Sequence, residues 1–407
     1  MNDLLKGLRI VEVSAFIAAP YAGLVLGQMG ADVIRIDPIG GGLDYRRWPV
    51  TDKGTSLYWT GLNKGKRSIT LNVREAEGRE IAQSLMTQPG DANGFLLTNL
   101  PARGWLDYDG LKSRRDDLVM MNITGNRDGS VALDYTVNAA AGFPTVTGPE
   151  HQNRPVNHVM PVWDVVAAMS AVQGILVAER HRRSTGEGQF MQVALSDTAF
   201  ATLSHLGYIG EVQINGDVRP KTGNHVYGTY GQDFETCDGR RVMITAFTPR
   251  HWKALVTATG TAENMEQVAK LFDLDLAKEE DRFEARDTIT AVLRPWFEAR
   301  TLQEIADAMN AEGACWGPYQ TFSQAVAEDP RLSTENPMFQ QIEQPGIGKL
   351  TAAGGMIDFS NAARESVQPA PILGQHTDEV LGDVLGFSSA EIGGLHDRGI
   401  VAGPVAE

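Results

Sequence analysis

The sequence predicts an α/β protein whose larger part is an open, doubly wound parallel sheet and whose smaller part is α+β. Strand-like and helix-like segments alternate through the first third of the chain, the pattern of parallel strands joined by helical crossovers. With 407 residues, 42% hydrophobic and 21% charged, the composition is that of an ordinary globular protein with room for two or three domains. A stretch rich in Gly, Pro and polar residues from about Asn215 to Tyr230 marks the passage to the smaller part.

The elements follow in order. "LRIVEV" (8 to 13) reads as a first strand, "PYAGLVLGQMG" (20 to 30) as a helix and "DVIRID" (32 to 37) as a second strand. Further strands are "SITLNV" (68 to 73), "GFLLTNL" (94 to 100) and "LVMMNIT" (118 to 124), separated by helical stretches at 75 to 86 and 111 to 116. From Asp164 the positions Val165, Ala168, Met169, Val172, Ile175 and Leu176 keep helical spacing until "RRSTGEGQ" ends the helix with charge and glycine. "FMQVAL" is then a strand and "DTAFATLSHLGYIGEV" a helix. Beyond the linker, "FETCDGRRVMITAF" reads as a hairpin turning at Asp238 and Gly239, followed by helices near 249 to 259, 281 to 297 and 301 to 313. After about 330 come loops, including "KLTAAGGMIDFS", and a last helix.

The net charge of −15 and the lack of a Lys/Arg block speak against nucleic acid, whose affinity comes from neutralised phosphates. The N-terminal residues do not read as a secretory signal, no apolar run approaches a membrane span, and two cysteines make no disulfide framework, so the expectation is a cytoplasmic protein without membrane partners. No metal motif, P-loop or nucleophile elbow is present, and Ser196 and His205 do not share one helix face. The triplet Gly40 to Gly42 follows the second strand and lacks the dinucleotide spacing.

One carboxylate stands out. Asp164 opens the apolar helix, where it is either an N-cap for free N–H groups or an exposed nucleophile aimed by the helix start. Lys64, Lys66, Arg67 and Arg74 surround a strand either as a phosphate site or as a solvated basic turn. Arg46 and Arg47, beside Trp48, are either a carboxylate clamp or surface arginines stacked on the indole.

"LKGLRIVEVSAFIAAPYAGLVLGQMGADVIRIDPIGGG", "NKGKRSITLNV", "RRSTGEGQFMQVALSDTA" and "PAPILGQHTDEVLGDVLG" together resemble the family III CoA-transferases over nearly the whole chain. The resemblance implies a Rossmann-like large domain made from both chain ends (1–214 and 331–407), a small domain between them (215–330) and an interlocked homodimer. It assigns the catalytic aspartate, the residue before the helix that runs into R-x-T-G-x-G-Q, to Asp164. CoA, supplied as part of an acyl-CoA substrate rather than as a resident cofactor, would lie along Ile17, Asp37 and Pro38, Leu71, Asn72, Val73 and Arg74, and Asn99 with Leu100; Arg103 is a further candidate. No metal is implied.

Members that racemise acyl groups carry a His before the Asp of "ALDYTVNAAAG"; here Leu133 precedes Asp134, so α-proton exchange is not expected. "NITGNRDGS" and "GNHVYGTYGQDFET" also depart from the glycine-rich segments of other members, which implies different substrate handling. The combination of "DPIGGGLDYRRWP", "TNLPARGWLDYD", "RPVNHVMPVWD" and "NPMFQQIEQPGIG" resembles members that move CoA between the two carboxyl groups of mesaconate, with Arg46, Arg47 or His158 as candidates for the free carboxylate. The alternatives are exchange with a separate dicarboxylate and acyl-CoA binding without catalysis.

Overall fold

The computed structural model describes residues 2–216 and 219–404. The chain divides into two compact units. The larger comprises residues 1–141, 159–215 and 330–407, the smaller 142–158 and 216–329.

The larger unit is built on a seven-stranded sheet. Six strands are parallel: β1 (Arg9–Val13), β2 (Asp32–Asp37), β3 (Arg67–Leu71), β4 (Phe95–Thr98), β5 (Val119–Thr124) and β6 (Gln189–Ala194). They lie in the order β3-β2-β1-β4-β5-β6, and the two-residue strand Val401–Ala402 closes the β3 edge antiparallel, Val401 opposite Leu71. β1 therefore sits where the order reverses, with β2 on one side and β4 on the other, and at such a point the carboxyl ends of the strands open a crevice. Ile10, Ile34, Ile69, Leu96 and Met120 are each at most 1% exposed, as parallel strands covered on both faces require.

The helix Val162–Thr185 packs on the helix Ala18–Gln28 and on β5 and β6. Ala167, Ala168 and Ala171 are fully buried along it, and side chains this small let two helix backbones approach closely. It ends at Gly186, whose φ of 76° forms the left-handed cap and whose N–H reaches the Arg182 carbonyl. By length and composition this helix could cross a membrane, which corrects the expectation that no run comes close; its buried alanine and Ile175 positions are instead spent on the sheet and its neighbouring helix.

Other differences are local. "KLTAAGGMIDFS" is not all loop, because Gly348–Ala353 pairs antiparallel with Phe339–Gln344. The helix expected over 281 to 297 breaks at Ala285 into Glu279–Glu284 and Arg286–Glu298, and the one after β6 stops at His205, where Gly207 takes a φ of 83°. Several helices went unread, among them Leu57–Leu62, Asp134–Ala140 and Ala262–Phe272.

In the smaller unit, Tyr230–Glu235, Arg241–Ala246 and Cys315–Pro318 form an antiparallel sheet, with Gly239 at a φ of 73° in the hairpin turn. Helices including Pro249–Thr259, Arg286–Glu298 and Leu302–Glu312 enclose its core around Phe234, Leu293 and Phe297. Residues 142–158, expected in the large domain, belong here: the segment closes on itself through Val156 N–H to the Pro144 carbonyl, and the Lys221 ammonium holds the Arg154 carbonyl.

Candidate active site

The crevice at the sheet's switch point is shaped by one strained residue. Phe16, just beyond β1, has a φ of 64°, which few non-glycine residues adopt. Its backbone is held on both sides: the Asn99 side chain exchanges two hydrogen bonds with Ala15 (2.9 and 2.6 Å), and Phe16 N–H donates to Asp44 Oδ2 at 3.0 Å. Over-determination of this kind lets a strained conformation persist. It leaves the Phe16 ring exposed and Ile17 half-buried at the start of the next helix.

Beneath it lies a buried charge cluster. Arg35 reaches both Asp37 oxygens (2.9 and 3.0 Å), Asp44 Oδ1 (3.1 Å) and Glu12 Oε1 (3.5 Å). The Lys66 ammonium donates to Glu12 Oε2 (2.8 Å), the Pro20 carbonyl (2.8 Å) and Asn63 Oδ1 (2.9 Å). Three of the four basic residues are committed within the protein: Lys66 is buried on Glu12, Lys64 donates to the Gly61 carbonyl, and Arg67 pairs with Asp32 and Glu379, while Arg74 is exposed. Asp44 joins this cluster to the crevice: both of its oxygens accept from Arg35 (3.1 and 3.2 Å), and Oδ2 also accepts the Phe16 N–H.

Asp164 is not the helix cap. The helix begins at Val162, which makes Asp164 its third residue, and the N-cap Pro161 has no side-chain acceptor. The cap comes from another helix: Asp134 Oδ2 accepts the N–H groups of Trp163 (2.6 Å) and Asp164 (3.2 Å). Among the described residues the Asp164 carboxylate makes no hydrogen bond or ion pair. Burial first, and the Asp134 charge second, push its pKa up to about 7, while Arg47 pulls it down. The Arg47 guanidinium lies 5.5 Å from the centre of the Phe16 ring and 5.3 Å from that of Tyr58. Burial likewise pushes the Tyr58 hydroxyl up to about 12, with Arg47 opposing and Asp164 adding.

Phe16, Arg47, Tyr58, Asp134 and Asp164 thus form one cluster. Arg46 turns elsewhere, into a cavity of about 420 Å³ lined with Lys53, Ser56, Trp59 and Leu373. His158 falls in the smaller unit, half-buried, its N–H on Asn157 Oδ1. Of the residues assigned to CoA, Pro38, Arg74 and Arg103 are exposed and Asn72, Val73, Asn99 and Leu100 half-buried. The Asp37 and Leu71 side chains, 1% and 0% exposed, are committed to Arg35 and the core, so any contact they make to a ligand runs through the backbone. Val73 and Leu100, after β3 and β4, pack on one apolar cluster with Leu71, Leu96 and Leu106, so both walls of the crevice share a floor. Tyr58 carried no readable signal, and Asp134 was visible only as the residue following Leu133.

An open sheet with a crevice at its switch point and an unengaged carboxylate on a helix start define a class: the chain belongs to CoA-transferase family III, whose profile matches residues 5–377. Within it, the chain is 53% identical over 405 residues to 2-methylfumaryl-CoA isomerase of Chloroflexus aurantiacus, covering 99% of each. It is 28% identical over 393 residues to succinyl-CoA:mesaconate CoA-transferase of Haloarcula marismortui, covering 93% of this chain and 95% of that one. The fold matches the crystal structure of a CaiB/BaiF family protein from Brucella suis with a TM-score of 0.76 at 24% identity, over 94% of this chain and 100% of the other.

Proposed function

We propose that this protein moves CoA between the two carboxyl groups of mesaconate, converting 2-methylfumaryl-CoA to 3-methylfumaryl-CoA, with Asp164 as nucleophile. The full-length identity to an enzyme of that name supports the reaction, and the unengaged Asp164 carboxylate supports the residue. An Asp164 oxygen attacks the thioester carbonyl; the C–S bond breaks, leaving an acyl-aspartyl anhydride and CoA thiolate. The thiolate attacks the aspartyl carbonyl, releases the mesaconate carboxylate and forms an Asp164–CoA thioester. The second carboxylate of the same mesaconate attacks that thioester, and the thiolate then attacks the mesaconyl carbonyl of the new anhydride, restoring Asp164. A dicarboxylate that stays bound is its own acceptor at high effective concentration, and in this reading Arg47, over the Tyr58 ring, holds its free end.

The groove after β1, β3 and β4, with Ile17, Asn72 to Arg74, Asn99, Leu100 and Arg103, takes the CoA moiety in this reading. We place the smaller unit as an insertion in the larger domain and the protein as an interlocked homodimer in the cytoplasm. In support of the dimer, Val177 on the apolar helix and Leu206, Val212 and Ile214 after it are 61–84% exposed in the single chain. The test is incubation with 2-methylfumaryl-CoA plus isotopically labelled free mesaconate, separating the isomers by mass spectrometry. The expected product is unlabelled 3-methylfumaryl-CoA. Label in the CoA ester would overturn intramolecular transfer in favour of a separate acceptor, and absence of any isomer would overturn the reaction itself.

A further inference from the structure

The helix Asp134–Ala140 grips the entry to the Asp164 helix at three points. Asp134 takes the N–H groups of Trp163 and Asp164, the Tyr135 hydroxyl donates to the Val159 carbonyl at 2.8 Å, and Asn138 Oδ1 accepts the Trp163 indole N–H at 3.2 Å. The N–H groups that this helix start leaves open are thereby accounted for: the N-cap is a proline and has none, Val162 bonds the Met160 carbonyl, and Trp163 and Asp164 bond Asp134, after which Val165 makes the first regular helix bond to the Pro161 carbonyl. An acidic third residue ordinarily turns back to the N–H of the N-cap, completing a capping box. Here the N-cap is Pro161, which has no N–H to offer. Neither of the two local tasks that absorb a carboxylate at a helix start is left for Asp164.

We propose that Asp134 is the positioning residue of the nucleophile: it caps the Asp164 helix from outside and so holds the Asp164 carboxylate uncommitted and facing Arg47 and Tyr58. This rests on the reading of Asp164 as nucleophile. Asp134 also acts on Asp164 through its charge, adding to burial in raising the pKa, against Arg47; Tyr58 also faces Asp164, and Asp44 in turn acts on Tyr58. Geometry and charge are separable by substitution. Asp134→Asn keeps the acceptor oxygen and removes the charge, whereas Asp134→Ala removes both.

The experiment is the pH profile of isomerisation for wild type and both variants, together with direct titration of the aspartate carboxyls by carbon-13 NMR with Asp164→Asn as the assignment control. Asp134→Asn is expected to lower the Asp164 midpoint by about one unit while retaining at least a third of wild-type kcat at pH 8. Asp134→Ala is expected to lose about tenfold or more in kcat with KM for the CoA ester changed less than threefold. An unmoved midpoint in Asp134→Asn, or an Asp134→Ala enzyme with wild-type kcat, would overturn the proposal. The NMR titration needs no turnover, so it decides the coupling of the two carboxylates even if the substrate reading fails; should Asp134→Ala not fold, Asp134→Asn still decides.

Discussion

Two groups of acids lie within one unit of this protein, and they are treated oppositely. Glu12, Asp37 and Asp44 are buried to 1% or less and meet Arg35 or Lys66 at hydrogen-bonding distance. Asp164 is only partly buried, has Arg47 nearby without an ion pair, and has its backbone served by someone else's carboxylate. A satisfied carboxylate is stabilising and inert, since its lone pairs are occupied. Burial raises the pKa of Asp164 as it does that of the paired Asp37, so what sets Asp164 apart is its lone pairs, which are free to attack. The difference teaches that a nucleophile is made by what its neighbours decline to do for it. The paired cluster supports the open one, because Asp44 fixes the Phe16 backbone while anchored on Arg35.

The sharpest way to break this contrast is to remove the open acid. Asp164→Asn should lower isomerisation by about 10⁴-fold or more, read as product isomer per unit time; near-wild-type turnover would end the assignment. The same variant should be more stable. An aspartate raised above its unfolded value near 3.9 costs nothing when protonated, and its cost grows as pH rises through about 7. The gain should therefore be near zero at pH 4 and roughly 2 kcal/mol at pH 8, allowing for partial exposure, by chemical denaturation.

Breaking the paired cluster should act on the fold instead. Lys66→Met strands Glu12 with only the 3.5 Å contact to Arg35 and the Ser14 hydroxyl, and should cost about 3–5 kcal/mol of unfolding free energy. Its midpoint in denaturant checks this, and unchanged stability would mean that the cluster is not what holds the β1 and β2 ends.

Two smaller changes convert one kind of acid towards the other. Pro161→Ser supplies both an N-cap acceptor and an N–H, so Asp164 gains a capping box and should lose about tenfold in kcat while thermal stability holds or rises. A fully active Pro161→Ser enzyme would show that capping does not compete with attack. Arg47→Ala removes the charge that draws the Asp164 pKa down, so the acid limb of the pH–rate profile should move up, by about one unit, leaving less active carboxylate at neutral pH.

Legibility in the sequence followed the range of the interaction. Parallel strands such as "LRIVEV" and "DVIRID" are buried on both faces and read as apolar runs, so the sheet was visible. The Asp164 helix was visible from its spacing, but its cap was not, because Asp134 reaches it across 30 residues. Lys66 read as either a phosphate ligand or a solvated turn residue because its partner Glu12 lies 54 residues earlier, on β1. Likewise nothing in "YRRWP" tells which arginine faces which cavity; that follows from the fold around Trp59 and Tyr58. Segment 142–158 was misplaced for the same reason, its anchor being the side chain of Lys221.

The short strand at Val401–Ala402 has a consequence for the order of events in synthesis. Asn72, at the end of β3, donates its backbone N–H to the Ile400 carbonyl and its side-chain amide to Gly399, 327 residues later in the chain. Thr70 likewise bonds the Ala402 carbonyl. One wall of the proposed CoA groove is therefore unfinished on a nascent chain that already displays Asp164.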